Sequence, residues 1–196
     1  MSNVESEVTA LTQRPQRADA RRNYEKLVSA AREAFAEDGT SASLEDIARR
    51  AQVGIGTLYR HFPTRQHLLE AVYLDEVEAI CRSAADLADL APWDALVAWL
   101  RQFVGFAATK RALAQEMLGT IGSDAEVFRT CRVAISNAGD ELLGRAQAAG
   151  AVRADANFID IARLLGGIAS IESDPEQIER ILDIVIDGLR YQAPSA

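Results

Sequence analysis

Residues 44–69 constrain the fold of this chain most strongly, because two helical patterns occur there with only a few residues between them. In the first pattern apolar residues recur at spacings of three and four, which places them on one side of a helix. These residues are Leu44, Ile47, Ala48 and Ala51. Ser43 precedes them as a suitable N-cap, and a second apolar pattern starts after Gly54. The segment therefore predicts two short helices, a tight turn between them and the start of a third helix.

This layout is typical of a helix-turn-helix that reads DNA, in which the second helix enters the major groove and its first residues meet base edges. By position, the candidates for base contact are Ile55, Gly56, Thr57 and Arg60. Ile55 also continues the second apolar stripe, together with Leu58, Tyr59 and Phe62. For Ile55, packing in the core and contact with DNA are therefore both open.

The same segment resembles the DNA-binding domain of the TetR family of bacterial transcriptional regulators over roughly residues 18–75. The matching residues are Ile47, Ala48, Ala51, Val53, the run from Gly56 to Phe62, Arg65, Leu68 and Leu69. Two residues depart from the family pattern: Gly54 replaces a common serine, and Arg65 replaces a common lysine. Glycine still serves as an N-cap, and arginine keeps the positive charge.

The resemblance implies that a second group of residues holds the DNA backbone and fixes register without reading sequence. These are Ser43, Tyr59, His61, Thr64 and Arg65. For Tyr59 a core position remains the alternative. Arg21 and Arg22, at the start of the first long helix, are further candidates for phosphate contact. Residues 1–17 are interpreted as an arm, whose Arg14 and Arg17 either follow the DNA or belong to a solvated tail.

The charge distribution is consistent with a nucleic-acid partner, although the chain carries a net charge of −8. Residues 14–65 contain ten Lys and Arg against seven Asp and Glu, a net charge of +3. Residues 66–196 contain eleven against twenty, a net charge of −9. Such asymmetry indicates a DNA-facing part joined to a part with a different task.

The remaining sequence continues in helical periodicity, so we expect an all-α protein of about nine helices. One of these is a separate short helix at residues 110–118, between a strongly apolar helix that begins at Pro92 and a long helix at about residues 124–149. We expect three parts: a flexible arm (residues 1–17), a helix-turn-helix DNA-binding domain (residues 18–65), and a larger helical domain for ligand binding and dimerisation (residues 66–196).

The family resemblance also implies a ligand cavity among the middle helices, which suits a small, mostly apolar effector. The candidate lining residues are Tyr73, Trp99, Phe103, Phe106, Met117, Phe128 and Cys131. The alternative is that these side chains only fill the core. Cys81 and Cys131 could approach each other as a redox pair, but buried unreactive thiols are the commoner case.

The last two helices are the expected interface of a symmetric homodimer on a palindromic operator, as the resemblance implies. The candidate interface residues are Leu165, Gly166, Gly167, Ile181, Val185 and Gly188. The glycines would permit close approach of two helices across the interface. They could equally tolerate crowding within one chain.

Other functional classes find little support in the sequence. The chain has no nucleophile elbow, phosphate loop or HExxH motif, so we expect neither an enzyme nor a cofactor or metal site. It has no long uncharged apolar run and no signal-peptide pattern, so we expect a cytoplasmic protein without a membrane partner. We expect double-stranded operator DNA, a second copy of the chain and a small-molecule effector as partners. Control by a protein partner, or activation instead of repression, remains the alternative.

Overall fold

A computed structural model describes residues 14–121, 126–171 and 174–190. Within these residues the chain forms eight α-helices and one 3₁₀ turn, Gly39–Ser41. The helices are α1 (Ala18–Asp38), α2 (Leu44–Arg50), α3 (Ile55–His61), α4 (Arg65–Asp86), α5 (Pro92–Ile121), α6 (Glu126–Ala148), α7 (Phe158–Ile168) and α8 (Pro175–Leu189). The predicted all-α class is confirmed. In the described part of the chain, extended pairing is limited to one isolated antiparallel bridge between Val152 and Arg190.

Local capping chemistry sets the helix boundaries at several positions, including the predicted N-cap Ser43. The Ser43 hydroxyl accepts a hydrogen bond from the amide of Asp46, which caps α2. Gly39 ends α1 with a φ of 57°, a backbone conformation that glycine adopts at little cost. Asp174 caps α8, and Pro175 occupies its first turn. These three helix ends are therefore determined by residues next to them in sequence.

The predicted separate helix at residues 110–118 is wrong, because α5 runs without interruption from Pro92 to Ile121. The sequence between Phe106 and Leu113 contains no glycine or proline that would end a helix.

The described residues fall into two compact units. The first unit contains residues 14–78, 109–121 and 126–131, and the second contains residues 79–108, 132–171 and 174–190. Helices α4, α5 and α6 each contribute residues to both units.

The core of the first unit fixes α2 and α3 on one side of α1. Helix α1 contacts α2, and α2 contacts α3. The fully buried side chains at these contacts include Leu27 of α1, Ile47 of α2 and Leu58 of α3. Because the short helices α2 and α3 bury one stripe each, their opposite faces remain at the surface.

The core of the second unit contains a cluster of aromatic side chains. The Trp99 ring lies 5.5 Å from Phe103 and 5.4 Å from Phe158, measured between ring centroids. The indole N–H of Trp99 donates a 3.0 Å hydrogen bond to the carbonyl oxygen of Ile80. Phe158 of α7 fits against Gly139 of α6, where a Cβ atom would lie only 2.5 Å from the ring. Gly139 is therefore required for this close approach of the Phe158 ring to α6.

Candidate nucleic-acid interface

The turn between α2 and α3 is short because one residue reverses the chain. Gln52 has a φ of 56°, in the left-handed region. The amide of Gln52 donates to the carbonyl of Arg49, and that of Val53 donates to the carbonyl of Ala48, both at 3.0 Å. This pair of hydrogen bonds is the usual termination of a helix by a left-handed residue. As a result Gly54, the N-cap of α3, lies only three residues after Ala51, the C-cap of α2.

Helix α3 buries one residue deeply and leaves the others near or at the surface. Leu58 is fully buried, whereas Ile55 is 38% and Tyr59 46% exposed. Gly54 and Gly56 have open space where a Cβ would stand. Ile55 and Tyr59 therefore lie at the surface, and not in the core, which was the alternative that the sequence left open.

Arg60 and Thr57 form one polar unit on α3. The Arg60 guanidinium donates to the Thr57 hydroxyl at 2.8 Å and to the Gly56 carbonyl at 3.2 Å. Both hydrogen bonds are exposed. The charge of Arg60 is therefore held along the open face of the helix, beside the other candidate base contacts.

His61 lies at the junction between this surface and the core. Its ring is 6.3 Å from the buried ring of Tyr24 and 6.2 Å from Phe62. Burial lowers the pKa of His61 below its ordinary value of 6.5, and the charge of Arg60 lowers this pKa further. The lowered pKa favours the neutral imidazole, which has one donor and one acceptor nitrogen.

Thr64 and Arg65 are partly engaged within the protein. The Thr64 hydroxyl forms a 2.7 Å hydrogen bond with the His67 ring and accepts a long one from the His67 amide at 3.4 Å. The Arg65 guanidinium lies 5.0 Å from the centre of the Phe35 ring and donates to the carbonyl of Ala42. Arg65 thus holds the start of α4 against α1, a structural role that the sequence did not indicate.

The arginines at the start of the chain differ in their surroundings. Arg21 and Arg22 are exposed on α1, near Glu25 and Asp19 respectively. Arg14 is instead held by two carboxylates of α4, Asp75 and Glu78. This contact is neither of the two roles suggested for Arg14 by the sequence. The rest of the expected arm, residues 1–13, lies outside the described residues.

The candidate ligand-binding residues are buried wherever their side chains are described. In the first unit the rings of Tyr73 and Phe128 pack edge to face at 5.3 Å. In the second unit Phe103 lies 5.7 Å from Phe106 and packs on Trp99. The side chain of Met117 lies outside the described residues.

The candidate interface residues lie at different depths. Leu165 is fully buried within its own chain, Gly166, Ile181 and Val185 are half-buried, and Gly167 and Gly188 are exposed. Two apolar residues that the sequence prediction omitted are far more exposed: Leu164 at 55% and Ile184 at 71%. Both stand outside the buried stripes of α7 and α8, and an apolar residue off the stripe was the available signal.

Two other kinds of site are absent from the described residues. No group of three or more His, Cys, Asp or Glu side chains there could hold a metal ion. Among the described helices, none combines the length and apolar character needed to cross a bilayer.

Comparison with known families agrees with this geometry. Residues 27–72 match the family described as "Bacterial regulatory proteins, tetR family". Residues 91–191 match "Transcriptional regulator SbtR-like, C-terminal domain". The first match covers α2, α3 and most of α1, and the second match covers more than half of the chain.

Individual relatives lead to the same family. A TetR transcriptional regulator from Streptomyces coelicolor is 42% identical, covers 87% of this chain and 99% of its own, and superposes with a TM-score of 0.77. One from Mycobacterium vanbaalenii is 37% identical over 90% of this chain and 100% of its own, with a TM-score of 0.72. The HTH-type transcriptional regulator UidR of Escherichia coli is 28% identical over 159 residues, which are 76% of this chain and 81% of UidR. The chain thus belongs to the TetR family of DNA-binding transcriptional regulators.

Proposed function

We propose that this regulator is a repressor that binds a palindromic operator as a homodimer in the cytoplasm and leaves it when a small, mostly apolar effector binds. The observation that carries the DNA-binding part is the open face of α3. There Ile55, Gly56, Tyr59 and the Thr57–Arg60 pair are exposed or half-buried around a single buried anchor, Leu58. That face has the chemistry of a major-groove reader, with one cation, one hydroxyl and one aliphatic group.

The proposed division of labour follows the three parts of the chain. Residues 18–65 bind DNA, with Arg21, Arg22, Ser43, Tyr59, His61, Thr64 and Arg65 as proposed backbone contacts. Residues 66–196 bind the effector and the second copy, and residues 1–17 act as the arm. Phosphate contacts would fix the register, while Ile55, Gly56, Thr57 and Arg60 would read bases.

The proposed dimer interface is the apolar surface of α7 and α8. On α8 this surface continues from the buried Leu182 through the half-buried Val185 and Ile181 to the exposed Ile184 and Gly188. An apolar strip that extends beyond the core stripe indicates a further partner for the helix. A second copy of the same surface is the simplest such partner, because two-fold contacts are self-complementary.

The substitution Ile184→Glu tests this interface. A charge at a surface position should leave the fold intact but prevent burial of the strip against a second copy. Light scattering should therefore give a dimer mass for the wild type and a monomer mass for the variant. Val133→Glu on α6 changes an exposed apolar residue outside α7 and α8 and should remain dimeric. A monomeric wild type at micromolar concentration would exclude the proposed dimer.

The proposed effector class rests on the buried aromatic side chains. Tyr73 and Phe128 are buried in the first unit, and Trp99, Phe103 and Phe106 are buried in the second. Met117 and Cys131 complete the proposed set. A ligand that prefers one conformation of the dimer would shift its population and so change operator affinity, by no more than its differential affinity permits.

An experiment in two successive steps tests the whole proposal. Selection of duplexes from a random library by the purified protein should return sites with two-fold symmetry. Compounds that raise the melting temperature should then be retested for release of the protein from the selected duplex. Stabilising apolar compounds that release the protein support repression relieved by an effector. Tight binding that no compound reverses would instead favour control by a protein partner.

A further inference from the structure

Two arginines and three carboxylates form a network that links α4 to α1 and to the residues just before α1. Arg14 contacts Asp75 at 2.9 Å and Glu78 at 2.5 Å. Arg32 of α1 contacts Asp75 and Glu76. The five side chains are between 15% and 38% exposed, so solvent screens them less than it screens the surface pairs of α1. Both arginines contact Asp75.

Tyr24 of α1 connects this network with α3. Burial raises the pKa of the Tyr24 hydroxyl, and the charges of Arg14, Asp75 and Glu78 also act on it. That hydroxyl therefore lies within electrostatic reach of the network. At its other side the Tyr24 ring packs 5.2 Å from Phe62 and 6.3 Å from His61, at the end of α3. Because Arg32 and Tyr24 both belong to α1, the ion pairs with α4 and the ring packing at the end of α3 are joined through this helix.

We propose that Asp75 is a positioning residue for DNA binding: it holds α1 to α4 through Arg14 and Arg32 and thereby fixes the end of α3 through Tyr24. Asp75 touches no candidate DNA contact itself. This inference rests on the proposed use of α3 to bind the operator. It goes beyond that proposal by making the orientation of α3 depend on a residue of α4.

The sign of the effect distinguishes positioning from simple electrostatics. DNA is a polyanion, so the loss of a carboxylate from the unit that contains α3 should tighten binding if only charge mattered. Asp75→Asn leaves Arg14 with Glu78 and Arg32 with Glu76, but it removes the group shared by both. If Asp75 positions α3, the substitution weakens binding even though the protein becomes less negative.

The test compares Asp75→Asn with Glu70→Gln, on the duplex that the wild-type protein selects. Glu70 lies on the same helix, and its hydrogen-bond partner is the neutral Gln66 at 3.0 Å, so the change in charge is matched. Asp75→Asn should raise Kd by about fivefold or more, within the range of ordinary coupling between sites. Glu70→Gln should leave Kd unchanged or lower it.

The salt dependence supplies the second readout. The slope of log Kd against log salt counts phosphate contacts, and positioning through Tyr24 should leave that slope as in the wild type.

Glu78→Gln, which breaks the other contact of Arg14, gives a second variant should Asp75→Asn lower the melting temperature strongly. It should also weaken binding. Equal or tighter binding by both folded variants would overturn the inference, whereas a wild type that selects no duplex would overturn the proposed function itself.

Discussion

The open face of α3 and the aromatic cluster of the second unit place their candidate functional residues at opposite depths. On α3 the side chains proposed to meet DNA are exposed or half-buried, including Tyr59 at 46%. In the aromatic cluster Trp99 is fully buried, and Phe103 and Phe158 pack against it. Function and stability should therefore be separable by mutation on α3 but coupled in the cluster.

The largest expected effect comes from Trp99→Ala in the buried cluster. The substitution removes an indole packed between two rings, together with its hydrogen bond to Ile80. The free energy of unfolding should fall by about 3–5 kcal/mol, as for other large aromatic truncations in cores. Trp99→Phe keeps an aromatic ring and should cost clearly less. Denaturant unfolding measures both, and a loss below about 1 kcal/mol for Trp99→Ala would refute the assigned burial.

Gly139→Ala should have the next largest effect. The added methyl would lie 2.5 Å from the Phe158 ring, so the ring or helix α7 must shift, at a cost of about 1–3 kcal/mol. Gly144→Ala on the same helix has nothing within 4 Å of the new atom. It should stabilise the protein by up to about 1 kcal/mol, through helix propensity. If the two variants had equal stability in thermal unfolding, the close contact at Gly139 would be disproved.

Tyr59→Ala tests the other side of the comparison. The free energy of unfolding should change by no more than about 0.5 kcal/mol, because the residue is at the surface. The Kd for the selected duplex should nevertheless rise about five- to tenfold, from the loss of one hydrogen bond and its ring contact. Leu90→Ala truncates a residue of similar exposure, 45%, in the second unit and should leave Kd unchanged. Equal Kd values for both variants would remove Tyr59 from the interface.

The smallest expected effect is on the pH dependence of stability. It comes from His61, which lies between the open face of α3 and the core of the first unit. Its pKa is lowered in the folded state by burial and by Arg60, so the unfolded chain binds a proton more readily. His61 therefore costs stability as the pH falls below its ordinary pKa of 6.5. The free energy of unfolding, measured from pH 7.5 to about 5.5, should decline less steeply with falling pH for His61→Gln than for the wild type. A steeper decline for this variant would contradict the assigned shift.

The parts of the fold that were predictable are those set by neighbours in sequence. Ser43, Gly39 and the Asp174-Pro175 pair mark helix ends through local hydrogen bonds and backbone preference. The continuous α5 was missed, although no glycine or proline lies between Phe106 and Leu113 to end the helix. Local patterns carry no information about contacts such as Arg32 with Asp75, which join residues 43 positions apart.

The candidate site shows the same limit. The sequence indicated which α3 residues could meet DNA, from their position near the start of the second helix of the motif. It left the depth of Ile55 and Tyr59 open, because both positions border the apolar stripe and only packing against α1 and α2 decides their exposure. The internal contacts of Arg65 with Phe35 and Ala42 likewise depend on tertiary structure.

Hydrogen exchange of the whole protein with and without the selected duplex tests the central claim most directly. If the open face of α3 binds DNA, amides in Ile55–His61 should exchange more slowly in the complex, because the bound duplex excludes solvent and suppresses opening. Amides of α7 should keep their rates. Protection confined to α7 and α8, with no change in α3, would contradict the account.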